Sequence, residues 1–296
     1  MPTRRSFLQQ LSVMTAAVLA APLFPKTWAR SRAIGLQLYT IRDAMSKDPA
    51  GSLARVAHIG YKEVEAATYT GTEKFYGYDA KAYKQLLNQN HLQQISGHYI
   101  LGGLEKTSRS PLGSIQNGWQ QAIEDAHTVG QQYMVCAFLM PDERKTLDDY
   151  KKIAELFNRA GEQCKQAGIQ FCYHNHNFEF ESIDGQNPYD ILLKSTDPDL
   201  VKMEMDIYWV KKAGQDPLKL FAEHPGRFVL WHVKDMDNTP KHSFTEVGHG
   251  IIDFKTIFAH ARQAGMKHFF VEQDICPGDP FVSITESYQY LRKMLA

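Results

Sequence analysis

Residues 168–181 read GIQFCYHNHNFEFE, an apolar run of strand composition that ends in histidines and carboxylates. His174 and His176 are two apart, so on a strand both side chains leave the same face. Two neighbouring imidazoles at a strand end make a poor hydrophobic core and good ligands. Whether they have partners depends on what the other strands bring to the same end.

Seven further runs have the same character. Strands are expected at 33–40, 61–68, 92–100, 132–138, 169–176, 201–210, 228–235 and 268–274. Between them lie segments with apolar spacings of three and four, such as LDDYKKIAELFNRAGEQCKQAG. Several end in glycine just before the next strand, at Gly60, Gly130, Gly168 and Gly265, which is a helix C-cap signal. Eight strands alternating with helices predict a single-domain α/β fold, a (β/α)8 TIM barrel. A doubly wound open sheet would carry a glycine-rich phosphate loop after its first strand, and here that strand runs into QLYTIRDAM.

Barrel active sites gather at the C-terminal strand ends. The chemistry of this chain gathers there too. The first strand carries Gln37 and Tyr39, the second Glu63 and Glu65, and the third His98. The sixth carries Glu204, Asp206 and Tyr208, the seventh His232 and Lys234, and the eighth Glu272 and Asp274. One imidazole or carboxylate from each of strands five to eight can converge on a point: His174, Asp206, His232 and Glu272. A mixed nitrogen and oxygen set suits Mn2+, Zn2+, Co2+ or Fe2+ better than Ca2+. The alternative is a buried salt-bridge network without metal.

The opening TRRSFLQQLSVMTAAVLAAPLFPKTWA has a basic pair, an apolar run and a small-residue site, so residues 1–29 read as a signal peptide. Its Thr3-Arg4-Arg5-Ser6-Phe7-Leu8 block looks like the twin-arginine export signal. This predicts a periplasmic protein whose domain covers 30–296, with no stable membrane insertion after cleavage. Three of the 33 basic residues and none of the 33 acidic ones lie in that leader, which leaves a net charge of −3. Such a balance argues against a nucleic-acid partner. Cys136, Cys164, Cys172 and Cys276 form no disulfide framework; buried free thiols are expected, with a Cys136–Cys172 bridge left open.

From Ala33 to Ala296 the chain resembles the xylose isomerase-like TIM barrels, the sugar phosphate isomerase/epimerase superfamily. YHNH (173–176), MEMDIYW (203–209), LWHVKD (230–235), VGHGIIDF (247–254) and VEQD (271–274) carry the resemblance, specific in combination and weak one by one. It implies one divalent metal ion, manganese first, held by residues that match Asp206, His232 and Glu272. It also implies sugar-like substrates and proton transfer next to a carbonyl. The departure is on the fifth strand. Where the superfamily's epimerases usually carry Glu-Asn-His, this chain has His174-Asn175-His176. A ligated His174 binds as neutral imidazole and shuttles no proton, so one of two acid/base carboxylates is missing. A one-base mechanism remains, with Glu272, Lys234 or His98 as the proton carrier.

The function expected first is a metal-dependent sugar isomerase or epimerase. It abstracts a proton next to a carbonyl through a metal-stabilised enediolate, on a non-phosphorylated sugar, since no arginine is expected beside the seventh or eighth strand end. A lyase or hydratase that eliminates the aglycone of 3-keto-glycosides is the alternative, and a non-catalytic periplasmic sugar binder is a second. The apurinic-site endonucleases of the same superfamily need further metal ligands and a basic groove, and are set aside. Substrate contacts are expected from Gln37, Tyr39, Glu65, His176, Trp209 and His249, with Tyr39 and Trp209 as a stacking wall and His249 closing over the pocket. The loops TYTGTEKFYGYD (68–79) and MDNTPKHSFTEVGHG (236–250) either cover the pocket or join a homodimer contact.

Overall fold

A computed structural model describes residues 33–296; the leader reading falls outside the described residues. The eight strands β1 (Gly35–Gln37), β2 (Glu63–Ala66), β3 (Gln93–Ile100), β4 (Tyr133–Phe138), β5 (Gln170–His174), β6 (Val201–Asp206), β7 (Phe228–Val233) and β8 (His268–Val271) pair in parallel. They close into a barrel in chain order, with β8 beside β1. Helices follow the strands around the outside, and the C-cap glycines do what their spacing implies. Gly130 (φ 94°) and Gly265 (φ 82°) end their helices in the left-handed region that an L side chain avoids. Among the described residues no helix is long and apolar enough to cross a membrane.

Six strands end short of the expected bounds, and for β1 and β6 the local reason is plain. Asp206 ends β6 and its Oδ1 accepts from the backbone N–H of Trp209 at 3.0 Å, so Tyr208 and Trp209 enter the helix Ile207–Lys212 instead of extending the strand. Gln37 acts likewise on β1. Its Oε1 accepts from the Tyr39 N–H at 3.0 Å and starts the short 3-10 turn Leu38–Ile41.

The core has two parts. A large shell lies between strands and helices, and a small plug of Ile95, Val135, Cys172, Val229, Leu230 and Phe270 fills the barrel floor. Gly35 makes room for that plug, since a Cβ there would lie 2.4 Å from the Phe270 ring. All four cysteines are free. Cys136 pairs in register with Tyr173 and Cys172 with Val135, so the two thiols point to opposite sides of the barrel wall. The Cys136–Cys172 bridge is thereby corrected to two buried thiols.

Candidate metal centre

Above the apolar plug the barrel interior turns polar, in two tiers. Residues two apart on one strand share a face at successive depths, so Glu204 lies one step below Asp206.

The lower tier is a buried network, in which Glu204 Oε1 has no hydrogen-bond partner. The Gln37 amide donates to Glu65 Oε1 at 2.7 Å, and the Ser96 hydroxyl donates to Glu65 Oε2. His98 Nε2 lies 2.9 Å from Glu204 Oε2 and 3.2 Å from Glu65 Oε1. His232 Nε2 lies 2.6 Å from Glu65 Oε1. Burial pushes the His98 imidazole down, but Glu65 and Glu204 outweigh it and bring it to about 9. Burial, with Glu65 beside it, pushes Glu204 up to about 7. Gln37, Glu65 and His98 were expected at the substrate; the structure instead places them beneath the site as its buried support.

His232 joins the tiers. With Nε2 turned down to Glu65, its Nδ1 faces up, 3.1 Å from His174 Nε2 and 2.7 Å from Glu272 Oε2. His174 is oriented the same way, because its Nδ1 lies 3.2 Å from the Ala137 carbonyl and can only donate to it. Both imidazoles therefore turn a nitrogen toward the upper tier, each fixed from behind by an oxygen acceptor; on His174 it is bare, and on His232 it carries a proton that a cation would displace. Asp206 Oδ2 lies 3.3 Å from His174 Nε2. Burial, reinforced by the positive charges of His232, His98 and Lys234, holds His174 well below the usual histidine range. At His232 burial is outweighed by Glu204, Glu272 and Glu65, which hold the imidazole well above it.

The donor set fits a divalent cation. His174, Asp206, His232 and Glu272 each offer one ligand atom, and all four atoms lie within 4.8 Å of one another. Asp206 Oδ2 and Glu272 Oε2 are buried and accept no aligned hydrogen bond. They nonetheless lie 2.9 and 2.7 Å from the Lys234 ammonium, an ion-pair contact without hydrogen-bond geometry. Lys234 also lies 2.8 Å from Asp274 Oδ1. Burial disfavours its charge, and Asp206, Asp274 and Glu272 together outweigh that and hold it well above the lysine range. Glu272 is likewise raised by burial but held well below the carboxylate range by Lys234 and His232. Asp274 is pushed up by burial to about 6.

Around this centre the remaining candidates divide. The His176 ring stands 4.8 Å from His174 and 5.6 Å from Trp209, and its buried Nδ1 has no hydrogen-bond partner. Trp209 Nε1 is also buried without one, and Lys234 Nζ lies 6.0 Å from the Trp209 ring. Tyr39 is 41% exposed on the rim beneath the Arg42 guanidinium, which is 4.3 Å from its ring. It follows β1 while Trp209 follows β6, three strands away around the barrel. His249 is corrected as well. Asp235 accepts from the N–H groups of Gly248 and Gly250 at 2.9 and 3.1 Å, which ties that loop down. His249 then points outward, 3.7 Å from Glu286. Arg42, not anticipated beside β8, donates to the carbonyls of Tyr39 and Asp274 at 3.0 Å each.

Two supporting carboxylates escaped the sequence reading, because loop anchors have no periodic signal. Glu179 accepts from the Tyr173 hydroxyl and from the His176 N–H at 2.9 Å, folding the segment after β5, and burial pushes it up to about 7. Glu143 ties two loops together in the same way.

The family model described as xylose isomerase-like TIM barrel matches residues 53–294. An inosose dehydratase from Lacticaseibacillus casei is 26% identical over 263 residues, covering 77% of this chain and 86% of its own. A crystal structure described as a sugar phosphate isomerase/epimerase from Parabacteroides distasonis superposes with a TM-score of 0.77 at 28% identity, over 95% of this chain and 98% of that one. The structure of the IOLI protein with a binding zinc atom shares the fold at 12% identity, with a TM-score of 0.67 over 89% of this chain and 98% of that one.

Proposed function

The chain belongs to the xylose isomerase-like TIM barrels, and on that premise we propose that it is a divalent-metal-dependent enzyme that removes a proton beside the carbonyl of an unphosphorylated keto-sugar and expels the oxygen substituent on the next carbon. His174, Asp206, His232 and Glu272 would hold the cation, with manganese the first choice and zinc, cobalt or iron the others suited to this donor set. When bound, it supplies a Lewis acid for the carbonyl oxygen and the charge that develops there.

One observation carries elimination ahead of epimerisation: the fifth strand contributes a fixed imidazole in place of a second carboxylate. Inversion at one carbon calls on an acid and a base on opposite faces. Of the two carboxylates in the cluster, Asp206 is immobilised by capping the helix Ile207–Lys212. Glu272, beside Lys234 and His232, is left as the base. As the C–H bond breaks, its electrons form the new double bond and the neighbouring C–O bond leaves with its pair. The departing oxygen takes a proton from Lys234, whose ammonium can be replenished through Asp274 at the more exposed edge. The dehydratase name of the Lacticaseibacillus relative supports this reading. Arg42 is engaged with two backbone carbonyls, which supports a substrate without phosphate.

Isomerisation is the second reading, favoured by the Parabacteroides neighbour, and differs only in returning the proton to carbon. Manganese-loaded residues 30–296 and 4-nitrophenyl 3-keto-glucoside separate them. The expected result is nitrophenolate release that a chelator abolishes. Release no faster than with heat-denatured protein would rule elimination out.

A further inference from the structure

Beside the centre, between the loops that follow β3 and β4, lies a cleft of about 410 Å3. Ile100, Leu104, Pro111, Phe138 and Met140 line its apolar side, and Glu105, Arg109 and Asp142 stand on its polar side. Its two walls are fixed to each other. One oxygen of Glu143 accepts from the Gly103 N–H and the other from the Met140 N–H, each at 2.7 Å, and the residue is only 5% exposed. A cleft whose walls are bridged by a buried carboxylate is pre-formed.

Phe138 connects it to the chemistry. Its ring stands edge-on to His176 at 5.0 Å, and His176 in turn is 4.8 Å from His174. Phe138 thus lines the cleft and also touches a ring beside the centre, on the β3–β4 side. Met140, at the mouth, leaves 46% of its surface to water although it is a large apolar side chain. The volume is within the range of small-molecule pockets and suits an aromatic ring.

We propose that this cleft is a subsite for an aromatic leaving group, so that the preferred substrates are aryl rather than small-alkyl keto-glycosides. This rests on the elimination reading above and adds the class of group expelled. An aryl ring seated against Phe138 and Met140 gains burial and sulfur–aromatic contact that a methyl group cannot.

Binding tests it without relying on turnover. Calorimetric titration of the manganese-loaded protein with 4-nitrophenyl β-glucoside and with methyl β-glucoside should show aryl affinity higher by about tenfold or more. Met140→Glu, at a half-exposed position that does not endanger the fold, should bring the two affinities to within about threefold while methyl glucoside binding stays unchanged. Glu143→Gln should weaken the aryl preference as well, because the bridge between the walls is loosened. Equal affinities in the parent protein, or an aryl preference that Met140→Glu leaves intact, would overturn the subsite. An aryl preference that Met140→Glu removes, in a protein that releases no aglycone, would uphold the subsite and refute elimination alone.

Discussion

Glu272→Gln in the manganese-loaded protein is expected to lower turnover by about 10²–10⁴-fold, the range usual for loss of a positioned general base. The replacement keeps the shape of the side chain and removes its charge. In the parent chain that charge is secured by Lys234 at 2.7 Å and by His232 Nδ1 at 2.7 Å, which overcome the burial penalty. The amide also offers the cation a poorer donor, so affinity for manganese should fall in the same variant. Rates measured across a manganese titration separate the two effects. A defect that disappears at saturating metal would make Glu272 a ligand only. A plateau still lowered by two or more orders of magnitude assigns it the proton.

Lys234→Met is expected to destabilise the metal-free protein by about 3–5 kcal/mol, the cost of leaving a buried charge partner uncompensated. Three carboxylates converge on this ammonium, from Asp206, Glu272 and Asp274, and it is almost wholly buried. Without it their mutual repulsion is opposed by His232 alone. A divalent cation supplies the missing charge, and because Lys234 no longer repels it the variant binds it more tightly than the parent, gaining about 1.4 kcal/mol more for each tenfold difference in Kd. The denaturant midpoints of parent and variant should therefore lie far apart in chelator and draw together in manganese. The pH dependence has a definite sign. The raised folded-state pKa of Lys234 means its contribution is complete below the ordinary lysine range and lost only as pH climbs above it. The variant instead gains stability on acidification, as its uncompensated carboxylates take up protons. Equal midpoints with and without metal would show that no cation meets these groups.

Much of this was legible in the chain because two periodicities coincide. Residues two apart at the ends of strands five to eight share a face, and those strands are neighbours in a barrel, so His174, Asp206, His232 and Glu272 had to meet if the fold was right. The depth of each residue was less legible. Gln37, Glu65 and His98 have the same spacing as the upper tier, and only the contacts they make with one another, with Glu204 and with His232 Nε2 set them apart as its support. Trp209 and Tyr39 were misplaced because a capping side chain ended each strand a residue or more early. His249 lies in a motif that reads as a lid, yet the motif's job is to bind its glycine N–H groups to Asp235. Arg42, Glu143 and Glu179 act through backbone groups far along the chain, and no local pattern announces such contacts.

Proton NMR in D2O of the manganese-loaded protein with a 3-keto-glucoside tests the central claim most directly. The account predicts free aglycone together with an unsaturated keto-sugar, formed only when metal is present. Deuterium beside the carbonyl or a new epimer, with the glycosidic bond intact, would contradict elimination and restore isomerisation. An unchanged spectrum from a protein shown to hold its metal would contradict proton abstraction from this substrate altogether.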